Sequence, residues 1–480
     1  MLLFSDFGFW LVFVVFLTVY AFVRNYSRLG MLLYVVAFSL AFFWLANGWL
    51  CLLLPAVAVV TWWTGRVLGE SVSQKQAGQL QSDVLPRVTL AASIVLVLLP
   101  LLYFKYSNFL LSSVNALCST NFSLQALALP VGISFFTFQA ISYLVDVYRG
   151  RFRMQVTLLE FLFYLSFFPL PLAGPITRAK TLLPQVRRAG VVPSRRLYVG
   201  VWLMMLGLLK KCVVADYIVQ YNDWIFDDPS MYSGFECLMG ILGYTVQIYC
   251  DFSGYSDMSI GIAAMMGFRL DDNFAFPYQA PNLSQFWRRW HISLSTWFRD
   301  YLYIPLGGNR CSRARTYINN IITMLVAGLW HGASWMFVLW GGIHGLGLVV
   351  HKACQPWLKR LPDTRWVKAP SVVLTFVYVA IAWVFFRSES VDGALLLLGR
   401  SVSDFDIAYL VPFVNARPWW CVLVLIPLFA QFIGDRGFRR LQARYILLPW
   451  AVKVLLLLIV LQVMLQFRTS NVQPFIYYQF

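Results

Sequence analysis

Charge is what this sequence has least of. Asp, Glu, Lys and Arg make up 12% of its 480 residues, about half the share of an ordinary soluble domain. With 60% hydrophobic residues, the chain cannot coat a soluble core of this size with polar side chains. Its 17% aromatic content sets aside a disordered chain as well. The eight cysteines (Cys51, Cys118, Cys212, Cys237, Cys250, Cys311, Cys354 and Cys421) are scattered without a CxxC pair, which argues against structural zinc and disulfides. There is no Walker motif, no Gly-x-Ser-x-Gly elbow and no HExxH, so ATP-driven chemistry, the serine-hydrolase elbow and zinc-protease chemistry lose their usual signatures. The one glycine cluster resembling a nucleotide loop, 342–347, has its spacing reversed and lies in an apolar run. No long polar block marks a separate soluble domain, and no motif occurs twice, which weighs against a transporter built from inverted repeats.

What is present is a series of apolar runs, at 9–23, 31–46, 49–63, 88–104, 126–147, 158–173, 197–215, 235–249, 318–350, 372–386, 419–433 and 446–465. A helix needs roughly 20 residues to cross a bilayer, so several runs borrow their flanks or form half-helices. The expectation is an all-α polytopic membrane protein with about 11–13 crossings, some of them re-entrant. The net charge of +17 does not point to nucleic acid, because the basic residues sit mostly in short connectors, the positive-inside pattern. Nothing basic precedes the first run, whereas Arg24 and Arg28 follow it. The N-terminus is therefore expected outside, and the first helix is expected to stay, since no basic n-region or cleavage site accompanies it.

One region departs from this pattern. From Asp251 to Arg315 charges, aromatics and glycines mix at a density found nowhere else in the chain. Within it, 286–303 scans as a single helix with Trp287, Trp290, His291, Leu294, Phe298 and Tyr301 on one face and Arg288, Ser295 and Arg299 on another. Such a helix would lie at the cytoplasmic interface or line a funnel leading from it. Arg288, Arg289, Arg299 and Arg310 are orientation signals by default, and they would equally suit the phosphates of a polyanionic cosubstrate. Asp251, Asp257, Asp271 and Asp300 match no metal-coordination spacing, and no metal is expected.

Only four histidines occur, His291, His331, His344 and His351. His331 lies in a stretch of 34 residues, 317–350, without one Asp, Glu, Lys or Arg. An ionisable group at such depth usually faces a cavity or a partner. It is either a hydrogen-bonded core histidine or a general base, for which a neutral imidazole is required. Gly328 and Gly332 beside it form a small-xxx-small pair; close packing is the favoured reading, access for an acyl chain the other. His344, about 220° around an ideal helix from His331, reads as packing or as support for it, and His351 as an interfacial residue.

The segments 131–150 (VGISFFTFQAISYLVDVYRG), 173–176 (AGPI), 251–258 (DFSGYSDM), 286–295 (FWRRWHISLS), 296–308 and 329–334 (LWHGAS) follow one another in the chain. This succession resembles the signatures of the membrane-bound O-acyltransferase family in the family's order, from about residue 130 onward, and within it the bacterial branch typified by alginate O-acetyltransferase. The resemblance implies one membrane domain over 1–480, with peripheral helices at 1–125, a catalytic core at 126–400 and C-terminal helices with an aromatic tail at 401–480. It implies tilted helices ringed around a tunnel, with His331 as the catalytic histidine and His291 as its upstream partner, which orients it or hydrogen-bonds the thioester carbonyl. It also implies acetyl-CoA as cosubstrate, Arg288, Arg289, Arg299 and Arg310 as candidates for binding it, a periplasmic SGNH-type transferase as partner, and an exopolysaccharide of the alginate or cellulose type as final acceptor. The location implied is the bacterial inner membrane. Cys250 stands where relatives commonly carry an aromatic residue.

In related D-alanylation machinery a small partner ends in an aromatic motif, which the tail 474–480 (PFIYYQF) resembles. Tyr477 and Tyr478 are accordingly candidates for an acyl relay, against the default of interfacial aromatic residues. D-alanyl transfer and peptidoglycan acetylation are the rival reactions within the family, and a lipid-linked sugar transporter is the rival outside it.

Overall fold

The computed structural model describes residues 4, 6–78, 82–188, 190–358 and 360–467. Every regular element among them is helical. Among the described residues seven helices, single or compound, are long and apolar enough to cross a membrane: Gly8–Tyr26, Arg28–Gln76, Val84–Cys118, Ser194–Asp227, Trp335–Leu358, Arg365–Arg387 and Pro418–Leu447. The protein is thus an all-helical, multi-pass membrane protein. Shorter apolar helices, such as Ile133–Tyr148 and Trp450–Gln466, account for further runs seen in the sequence. The chain divides into two compact units, 1–201 with 259–271, and 202–258 with 272–480.

The core of the first unit is aromatic. In the helix Phe7–Tyr26, Phe9, Phe13, Phe16 and Tyr20 recur at i, i+4, i+7 and i+11 and are all buried. Leu11, Val14, Val15 and Phe22 on the other faces are exposed. In lipid, apolarity cannot choose between these faces, so the choice falls to shape and van der Waals contact. Phe168 makes that contact, its ring centroid lying 5.1 Å from Phe38, 5.5 Å from Phe16 and 5.8 Å from Phe42. The motif helix Ile133–Tyr148 is buried along almost its whole length. A buried acid, Glu160, is held by Arg28 and by Arg187 at 2.8 Å, and it closes a capping box with Thr157.

The second unit departs from the sequence reading in two places, both of which shape the site. The run 318–350 is not one span. Helix Arg313–His331 ends at Gly332, and Trp335–Leu358 returns antiparallel to it. A Cβ on Gly328 would stand 2.1 Å from the Phe337 carbonyl oxygen, and one on Gly341 2.3 Å from that of Met324. These glycines bring the two backbones together, which is the packing reading of Gly328. The region 286–303 is likewise not one helix. Leu283–Arg289 and Ile292–Phe298 are separated at Trp290 and His291, and a π turn, Arg299–Tyr303, follows. The break is set by His291, whose backbone is left-handed (φ 43°, ψ 55°), a conformation that costs a non-glycine residue about 1–2 kcal/mol and has to be held by its surroundings.

Candidate active site

Within the second unit the two breaks bring together residues far apart in sequence. His331 closes its helix at the C-terminal end, and His291 sits at the left-handed turn. Their ring centroids are 6.4 Å apart. Both are buried, at 2% and 0% exposure. An aromatic shell surrounds them: the Phe252 ring stands edge-on to His291 at 4.5 Å, and Trp340 and Phe386 stand edge-on to His331 at 5.0 and 5.5 Å. Trp340 also lies 4.9 Å from His344, so this histidine stands behind the pair, next to Trp287 at 5.0 Å. With His344 on the returning helix, the 220° offset expected for one continuous helix does not apply.

His291 is anchored through Asn273. The amide oxygen of Asn273 lies 3.2 Å from His291 Nδ1 and accepts hydrogen bonds from the Ser293 backbone N–H at 3.2 Å and from its hydroxyl at 2.9 Å. The amide nitrogen donates to Ser256 Oγ at 3.1 Å. The Asn273 carbonyl accepts the Ile292 N–H at 2.9 Å. Asn273 therefore clamps the left-handed turn from both its side chain and its backbone. Burial pushes the His291 imidazole down to about 3, so the ring is neutral near pH 7.

The helix that supplies Phe252 and Ser256 carries buried ions as well. Lys211, 2% exposed, reaches Asp251 at 2.6 Å and Asp216 at 2.7 Å, and Lys210 reaches Asp257 at 2.7 Å. Both lysines belong to a π turn, Leu209–Ala215, a distortion that often marks functional sites. A Cβ on Gly207 would stand 2.6 Å from the Gly254 carbonyl oxygen, so a side chain there would push the two helices apart.

The structure thus joins two of the sequence candidates, His291 and His331, and spreads the others. Arg288, Arg299 and Arg310 are exposed, Arg299 on Asp300 at 2.8 Å, while Arg289 is half-buried and reaches the Phe276 carbonyl and Gln285. Tyr477 and Tyr478 lie outside the described residues. Ser256 and Ser293 lie inside the signature segments 251–258 and 286–295 but nothing singles them out there, and Asn273 lies in no signature segment. Lys210 and Lys211 were missed as well, although two lysines interrupting the apolar run at 197–215 are the signal that could have found them, by the rule for charges at membrane depth.

A cluster of buried imidazoles in an aromatic shell, within a multi-pass helical protein, can accept and pass protons away from bulk water. The MBOAT profile, that of the membrane-bound O-acyltransferase family, matches residues 151–391, a stretch that contains both histidines. The chain belongs to this family and is a membrane-bound O-acyltransferase. Among its relatives, it is similar to the probable alginate O-acetylase AlgI of Azotobacter vinelandii, at 40% identity over 74% of this chain and 69% of that protein. It is similar to the protein of the same name from Pseudomonas putida, at 37% over 79% and 81%. The peptidoglycan O-acetyltransferase of Helicobacter pylori is 36% identical over 67% of this chain and 66% of its own length.

Proposed function

We propose that this chain transfers acetyl groups from acetyl-CoA, arriving from the cytoplasm, to a hydroxyl presented from the far side of a bacterial inner membrane, and that the acetyl group ends on an exopolysaccharide of the alginate or cellulose type. Similarity to the alginate O-acetylases supports the acceptor class. In this reading the helices ring a tunnel, the N-terminus lies outside, and a periplasmic SGNH-type transferase completes the delivery. Exposed Arg288, Arg299 and Arg310 draw the phosphates of the donor toward the cytoplasmic mouth.

His331 is the general base. The hydroxyl oxygen attacks the thioester carbonyl, its proton passes to His331, and the carbon–sulfur bond breaks; the thiolate then takes that proton and leaves as CoA-SH. The reaction needs no ATP, consistent with the missing nucleotide motifs. A direct hydrogen bond between two imidazoles brings their centroids to about 5 Å, whereas one oxygen bound to both spans about 6–8 Å. The 6.4 Å between His291 and His331 matches one oxygen held between the two rings, so that His291 can orient His331 for the hydroxyl, and this is the observation that carries the proposal.

Similarity to the Helicobacter pylori enzyme favours a second reading, O-acetylation of peptidoglycan. The test supplies the purified full chain, in lipid nanodiscs, with acetyl-CoA labelled in the acetyl group. Alginate, cellulose and peptidoglycan fragments are offered with and without the periplasmic partner. Label on alginate or cellulose is the expected result; label on peptidoglycan alone selects the second reading, and no transfer from any thioester contradicts both.

A further inference from the structure

Asn273 does more than brace a turn. Its amide oxygen receives a backbone N–H, that of Ser293. A backbone N–H can only donate, so an oxygen has to stand at this position, and the amide cannot be flipped. The opposite end is compatible with this, since the Ser256 hydroxyl can accept from the amide nitrogen at 3.1 Å. The His291 Nδ1 at 3.2 Å from the same oxygen then faces an acceptor and has to carry a hydrogen.

We infer that Asn273 is a positioning residue that locks His291 in the Nδ1–H tautomer, so that the ring presents a proton-accepting Nε2 toward the reaction. The consequence divides the labour between the two histidines. A neutral ring with its only proton on Nδ1 cannot donate a hydrogen bond to the thioester carbonyl as charge develops there. Of the two roles that the family resemblance allows His291, stabilising the carbonyl is ruled out and orienting His331 remains: Nε2 accepts a hydrogen bond that originates on an N–H of His331, passed through one oxygen held between the rings, and so turns the other nitrogen of His331 toward the attacking hydroxyl. The inference rests on the active-site reading proposed above, but its central observable does not.

The test is the nitrogen spectrum of the full chain labelled with 15N-histidine in lipid nanodiscs. With four histidines in the sequence, the His291 signals are assigned by their loss in His291→Gln. The expected spectrum has a protonated Nδ1 and a bare Nε2; a protonated Nε2, as the other tautomer or as imidazolium, overturns the inference. Asn273→Asp keeps an acceptor oxygen and is expected to keep the tautomer. Asn273→Leu is expected to mix the two forms and to lower acetyl transfer by about 100-fold, with Asp recovering most of it. An unchanged tautomer in Asn273→Leu also overturns the inference. Should the leucine variant fail to fold, Ser256→Ala, which removes only the anchor of the amide nitrogen, replaces it with the same expectation at smaller amplitude. Transfer that persists in His331→Ala while His291 shows the expected tautomer refutes the base assignment and leaves the role of Asn273 standing.

Discussion

Phe168 in the first unit and Lys211 in the second are equally hidden, at 0% and 2% exposure, yet they hold their surroundings by opposite physics. Around Phe168 the partners are rings, and every contact is short-range and non-directional. Around Lys211 the partners are Asp216 and Asp251, and each ion is tolerable only because the others are in place. The difference teaches where this protein commits to chemistry. Lipid gives no reward for burying hydrocarbon against hydrocarbon, so the aromatic ladder serves shape. Buried imidazoles and a buried lysine are costly there, and His291, His331, His344 and Lys211 all lie in one unit.

Substitutions can break this contrast in order of size. His291→Ala should cost the most in rate, about 10²–10⁴-fold in acetyl transfer, with the amount of folded protein little changed. Lys211→Met strands two carboxylates and should cost about 3–5 kcal/mol of stability, read as loss of folded protein from the membrane; replacing Asp216 and Asp251 by Asn in the same chain should restore part of it. Phe168→Ala should also destabilise, by about 3 kcal/mol or more, but transfer per folded molecule should stay the same, which separates the two units. The smallest effect belongs to the surface. Arg310→Ala should raise the KM for acetyl-CoA a few-fold without altering kcat, and the change should shrink as salt is added. An equal drop in rate for Phe168→Ala and His291→Ala, each corrected for folded protein, would erase the contrast.

Much of this architecture is readable from the chain. Composition alone forces a membrane solvent, and ordered motifs carry the family and the two histidines. Two breaks in helices were not readable. The 34 uncharged residues of 317–350 form one unbroken apolar run, and it is the two separate helices, with Gly328 against Phe337 and Gly341 against Met324, that show the chain doubling back. At His291 the pattern of aromatic residues fits a helix, but the backbone obeys Asn273, a residue 18 positions earlier whose effect is exerted through space. Lys210 and Lys211 are the opposite case. Their meaning was open to inspection in an apolar run, and the structure supplies the aspartates that complete it.

The most direct test sets two buried histidines of one helix pair against each other. Single-turnover transfer of labelled acetyl from acetyl-CoA is measured for the wild-type chain, His331→Gln and His344→Gln in the same nanodiscs, each normalised to folded protein and to bound CoA. His331→Gln should lose about 10³-fold or more, with CoA binding intact, while His344→Gln should lose less than about tenfold. Equal losses, or transfer by His331→Gln at the wild-type rate, would contradict a catalytic base at His331.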